Sequence, residues 1–160
     1  MTPLATLAQP EVSDPSIEMR VSDNPLSQQR VLVAIRLSSN SQQAPWWAHA
    51  VEERLEQLLA LNANWNGHDA RPLRPDAVLI GVRVIASLLG SDEGRPLPQI
   101  VPTWQGGLQL EWHLDPGDIE ITVDPRSAVW AYVSEQDGFE DGSLTEMEGR
   151  VSAILSRAAN

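Results

Sequence analysis

The chain of 160 residues has no cysteine, no lysine, one phenylalanine and one tyrosine, beside six tryptophans. Without cysteine there is no disulfide framework, thiolate zinc site, iron–sulfur cluster or cysteine nucleophile. All 11 basic residues are arginine and face 22 acids, for a net charge of −11. Nucleic-acid affinity comes mostly from clustered Lys and Arg, so no direct nucleic-acid binding is expected. Long hydrophobic runs are missing too. The stretch Val31-Leu32-Val33-Ala34-Ile35 stops at Arg36, far short of the ~20 residues a membrane span needs. The first ten residues have neither the basic start nor the continuous apolar stretch of a signal peptide. A cytoplasmic protein with no membrane association is the expectation. No P-loop, G-x-S-x-G or H-E-x-x-H string is present, which removes the common phosphate-loop, serine-hydrolase and zincin signatures.

What charge there is lies mostly in the second half. Residues 1–44 carry three Arg and four acids, and residues 45–90 carry four Arg and five acids. Residues 91–160 carry four Arg and thirteen acids, and within 111–148 a single Arg, Arg126, stands among eleven acids. Two readings stay open. The acids form either a solvated face that maintains solubility or a surface that steers a basic partner into place.

The hydrophobic pattern predicts an α+β fold. Residues 1–28 place Pro3, Pro10, Pro15 and Pro25 among polar side chains, which predicts an extended or partly disordered arm. A β-branched run at 30–37 is a candidate strand, and the single compact domain is expected over 45–160. Trp47, Val51, Leu55, Leu58 and Leu59 recur at spacings of three and four, predicting a helix over 45–61. Val78, Val82, Ile85 and Leu89 predict a second over 75–89, ended by Gly90. The period then changes to two. Leu108/Leu110/Trp112, Ile119/Ile121/Val123 and Val129/Ala131/Val133 alternate with polar residues between turn signals. With 99–104 as an edge strand bearing Pro102, this predicts a four-stranded antiparallel meander with one face buried. Ser143 and Glu146 then form a capping-box pair before a C-terminal helix. The expected order is two helices, meander, helix, with the helices packed on one sheet face.

That arrangement sends Gln109, Glu111, His113, Glu120, Thr122, Asp124, Trp130, Tyr132 and Ser134 to the outer face. Aromatic anchors ringed by charge suit recognition, because Trp and Tyr bury much area at low entropic cost. Glu111, His113, Glu120, Asp124, Trp130 and Tyr132 are therefore the candidate partner-binding residues. The other arrangement, in which the N-terminal arm or the 30–37 strand covers Trp130 and Tyr132, stays open. A catalytic carboxylate pair of Glu111 and Glu120 is a weaker reading. A metal site is weaker still, since His49, His68 and His113 fall on three different predicted elements. No cofactor is expected. A second candidate is the loop 62–72, with Asn64, Trp65, Gly67 and Asp69. Its Asn and Gly residues accept left-handed backbone angles, so it serves either as a packed connector or as a binding loop.

The residues Asn64-Trp65-Asn66-Gly67 with Ala70 and Pro72, followed by Val101-Pro102-Thr103, Gly106-Gly107 and Leu108-Gln109-Leu110-Glu111-Trp112, form a recognisable pair of motifs. This pair resembles a group of small, functionally unassigned bacterial proteins with an NWDGYGA-type loop and a PTPDGGxQLEW-type hairpin. The resemblance spans roughly residues 55–124 and implies a bacterial or phage origin. The chain departs from the group at Asn66, where Asp is usual, at His68-Asp69, where Tyr-Gly is usual, and at Trp104-Gln105, where Pro-Asp is usual.

Size, the concentrated acids, the exposed aromatics and the missing catalytic strings favour a small protein-interaction module. It would bind and inhibit or regulate a protein with a basic surface, as an antitoxin, an immunity protein or a phage anti-defence protein does. An accessory subunit tethered by residues 1–44, and a hydrolase or small-ligand binder using Glu111 and Glu120, are the alternatives. Self-association stays open.

Overall fold

The computed structural model describes residues 15–22, 30–37, 44–115, 117–124, 126 and 128–159. Residues 1–14, 23–29 and 38–43 lie outside these, and residues 15–22, read from the sequence as part of an extended or partly disordered arm, form a strand. The fold is α+β. Strands β1 (Pro15–Ser22) and β2 (Arg30–Leu37) form an antiparallel pair. Helices α1 (Ala48–Leu59) and α2 (Pro75–Leu89) follow. A meander of β3 (Gln99–Pro102), β4 (Leu108–His113), β5 (Gly117–Val123), β6 (Trp130–Glu135) and β7 (Gly138–Ser143) comes next, in that spatial order. Helix α3 (Leu144–Ala158) closes the fold.

The meander thus has five strands, not the four expected from the sequence. The unexpected one is β7, Gly138-Phe139-Glu140-Asp141-Gly142-Ser143. It lacks the apolar alternation that marks a half-buried strand, because only Gly142 in it is buried. It forms through pairing with β6 across Gln136-Asp137 rather than through a hydrophobic face of its own.

Alternation does decide the rest. Ile100, Leu108, Leu110, Trp112, Ile119, Ile121, Val123, Ala131 and Val133 are all buried on one face. Against it lie α2 over β4 and β5, and α3 over β5, β6 and β7. At Gly81 a Cβ would stand 2.9 Å from Leu108 Cδ1, so only glycine permits this approach of α2 to the sheet without displacing the leucine. Pro75 opens α2 at a position whose N–H has no intrahelical partner in any case. At the entrance to α3, the Ser143 backbone N–H and hydroxyl donate to the Glu146 carboxylate at 3.2 and 2.7 Å. These bonds hold the Glu146 carboxyl below its ordinary range, the hydroxyl bond most strongly. Arg95 ties the end of α2 to α3, donating to the Leu88 carbonyl and to Ser152 and Ser156.

The two-stranded sheet docks through β2 onto α1, and Val33 and Ile35 join the main hydrophobic cluster. Their backbone N–H groups donate to Glu56 Oε1 (3.0 Å) and Glu52 Oε1 (2.7 Å). The two glutamates are four apart and so share one face of α1. They occupy donors that an edge strand otherwise leaves unpaired. Replacing both Glu52 and Glu56 with Ala should cost about 2–4 kcal/mol, because two half-buried donors lose charged acceptors. Hydrogen exchange at Val33 and Ile35 should accelerate, and Gln at both positions should restore most of the protection.

Candidate functional site

The outer face of the meander carries three cross-strand rows fixed by register. Glu111, Glu120, Tyr132 and Asp141 align across β4 to β7, with Gln99 of β3 beside Glu111. Val101, Gln109, Thr122, Trp130 and Ser143 form the next row. His113, Asp118, Ser134 and Phe139 form the third. The helices pack on the opposite face, and β2 packs on α1 rather than here. Trp130 is 47% exposed and Phe139 68%, while Tyr132 is half-buried. Among the described residues, therefore, neither the 30–37 strand nor any other element buries Trp130.

The aromatics lie along the β6–β7 side. Tyr132 and Phe139 stack with ring centroids 5.7 Å apart and planes 27° from parallel. Trp130 Nε1–H donates to Asp141 Oδ2 at 3.1 Å, which fixes the indole beside a carboxylate. Phe139 and Asp141 belong to the strand that periodicity misses. The Asp137-Gly138 dipeptide, a common hairpin-turn signal, is the sequence feature that marks the place.

The acids gather toward β4 and β5. Glu111 and Glu120 are direct register partners, an arrangement that is unfavourable for two like charges. Gln109 Nε2–H donates to Glu120 Oε2 at 2.9 Å. His113 lies between Asp118 (3.1 Å from Nδ1) and Glu111 (3.6 Å from Nε2). The Asp118 hydrogen bond, chiefly, raises the His113 pKa above the ordinary 6.5, with smaller contributions from the charges of Asp118 and Glu111. Asp124 stands apart from this group. It accepts from the Arg126 backbone N–H at 3.0 Å and pairs with its guanidinium at 3.3 Å, which together hold the carboxyl low. These contacts tie Asp124 to Arg126 between β5 and β6.

As a catalytic pair, Glu111 and Glu120 sit on an open face. Two cavities, of about 500 and 530 Å³, lie elsewhere, under the β6–β7 turn and between α2 and the start of α3. Among the described residues, no group of three or more His, Asp or Glu is placed to hold a metal ion.

The loop 62–72 turns out to be internally bonded. Asn64, Gly67 and Asp69 take φ of 62°, 75° and 59°. Asn64 Oδ1 accepts from the Asp69 N–H (2.9 Å), and Asn66 Oδ1 accepts from His68 (2.8 Å) and Ala70 (3.2 Å). Trp65 Nε1–H donates to the Arg71 carbonyl. The loop then docks on the β3–β4 turn: Arg71 N–H donates to Trp104 O and Arg74 N–H to Gly106 O, each at 2.9 Å. A Cβ on Gly106 would meet Pro72 O at 2.7 Å, and φ there is 88°. The two stretches that make the recognisable motif pair thus touch each other. In this geometry Asn66 needs only an acceptor oxygen for two N–H groups, which an aspartate supplies equally.

Asn66→Asp should therefore leave stability nearly unchanged, whereas Asn66→Ala should cost about 1–3 kcal/mol by orphaning two donors, as measured by urea denaturation. On the face itself, a proton NMR titration should place His113 above 6.5, and Asp118→Asn should bring it down. A raised folded-state pKa stabilises fully below the unfolded value, and this contribution is lost as pH rises through the folded one. The stability difference between parent and Asp118→Asn should accordingly shrink above that point.

No family model, curated protein or solved structure matches this chain, so what the face does rests on its geometry.

Proposed function

We propose that this chain is a small acidic protein-interaction module whose outer sheet face binds, and inhibits or regulates, a protein partner with a basic surface. It would act in the cytoplasm, as an antitoxin, an immunity protein or a phage anti-defence protein does. Among the described residues no helix is long and apolar enough to cross a membrane. The observation that carries the reading is the join of Trp130, Tyr132 and Phe139 to Asp118, Glu111, Glu120 and Asp141 on one helix-free face. Aromatic side chains supply anchoring area, and the carboxylates around them supply partner choice and association rate. The same carboxylates repel phosphate backbones, which disfavours nucleic acid as the direct ligand.

Two variants test this, since both positions lie on the sheet's outer face, away from the core. Trp130→Ala should weaken the complex isolated from the native host about 30-fold, the scale of an interface anchor. Glu120→Arg should abolish retention. Unchanged circular dichroism would show that the fold persists, and undiminished binding in both variants would eliminate the face.

A further inference from the structure

An open strand edge adjoins the aromatic patch, and it differs from the fold's other edges. β3 is four residues long and ends at Pro102, which has no N–H to offer. The edge of β2 next to α1 is taken by Glu52 and Glu56. β1 presents a mixed pair, with Arg20 bonded to Glu18 at 2.9 Å. β7 has six residues and no proline, and Gly138 through Asp141 are all exposed. Among the described residues, no hydrogen bond engages the side of Phe139, Glu140 or Asp141 that faces away from β6. In an edge strand, alternate N–H and C=O groups point outward and can template another strand.

Charge decides what can add there. Asp141 lies on the outer face beside Trp130, and Glu140 lies on the helix side, at the rim of the cavity of about 500 Å³. Arg150 and Arg157 line that cavity too, but both are bound to Glu135, and Asp115 and Asp137 add further acid. Both sides of the β7 edge are therefore acidic. A second copy pairing antiparallel through β7, centred on Glu140 or Asp141, would set acid against acid, which is unfavourable for directly opposed charges. An extended basic segment has no such conflict. Its main chain would complete the ladder, its cations would meet Asp141 and Glu140, and one of them could lie over the exposed Phe139 ring.

We propose that β7 is a docking edge for an extended, Arg/Lys-rich segment of a protein partner, which adds to the meander as a sixth antiparallel or parallel strand. This rests on the interaction reading above and assigns it a binding mode.

The test uses the full chain and a blocked octapeptide of alternating arginine and valine. A second version carries an N-methyl group on every residue, which keeps the charge and removes the donors along both edges of the peptide. The unmodified peptide should slow amide exchange in β7 by about tenfold or more while leaving β3 unchanged. The N-methylated peptide should give no such protection. Glu140→Arg combined with Asp141→Arg should weaken peptide binding about tenfold or more at unchanged circular dichroism. Equal binding of both peptides, or protection anywhere other than β7, would overturn strand addition. Failure of the peptide to protect β7, together with loss of the native complex in Glu120→Arg, would also overturn it while leaving the face reading intact.

Discussion

Burial of a single face of one antiparallel sheet is the constraint from which the rest of this structure follows. From Leu108 to Val133 nearly every second side chain is apolar and buried. The side-chain period of a strand is two, so all of these residues must lie on one face. The helices supply the opposing apolar stripes, and the polar residues between are driven to the other face whatever their charge. The acidic and aromatic surface is thus a geometric consequence of the core, and only the identity of its side chains is free to vary. That identity is unusual. Surfaces that serve solubility alone mix both signs of charge, whereas residues 111–148 hold one Arg, and Arg126 is bound to Asp124.

A second consequence of an open meander is that its edges need protection. Its β3 edge is short and ends at Pro102, its β7 edge carries acidic side chains alone, and β2 of the separate two-stranded sheet is covered by carboxylate acceptors from α1. Proline and the glutamates take donors away from an edge whatever the partner's charge. Charge closes it only to partners of the same sign. Self-association through β7 is disfavoured by the same residues that would favour a cationic strand.

How much of this was legible in the sequence depends on the range of the interactions concerned. Helical stripes such as Val78, Val82, Ile85 and Leu89 are local patterns, and α2 has the expected bounds. The capping pair Ser143–Glu146 is equally local, and its bonds are present. β7 was not legible, since its stability comes from pairing with β6 and its own residues show no period. Phe139, the most exposed aromatic of the face, was missed for that reason. The loop 62–72 shows both sides of the matter. Its Asn and Gly content announces tight local bonding, but its docking on Trp104 and Gly106 joins residues more than thirty apart. Glu52 and Glu56 lie off the apolar stripe of α1, and only the position of β2 makes them backbone acceptors.

The cross-strand pair Glu111–Glu120 brings these lines together. Two carboxylates facing each other across a ladder weaken it, and a single substitution to a neutral residue would relieve the repulsion. The surrounding groups reduce the penalty without removing it: Gln109 donates to Glu120, and His113 lies near Glu111 while bonded to Asp118. A proton on His113 would offset part of the local charge, and the Asp118 hydrogen bond, chiefly, raises its pKa. On the interaction reading proposed above, carboxylates on an open face beside exposed aromatics are placed to receive a cation. A cation docked there would add favourable charge pairing with Glu111 and Glu120 to the binding energy. On this argument the acidity of the meander matters less as a total than as a concentration, set where the core leaves the sheet uncovered.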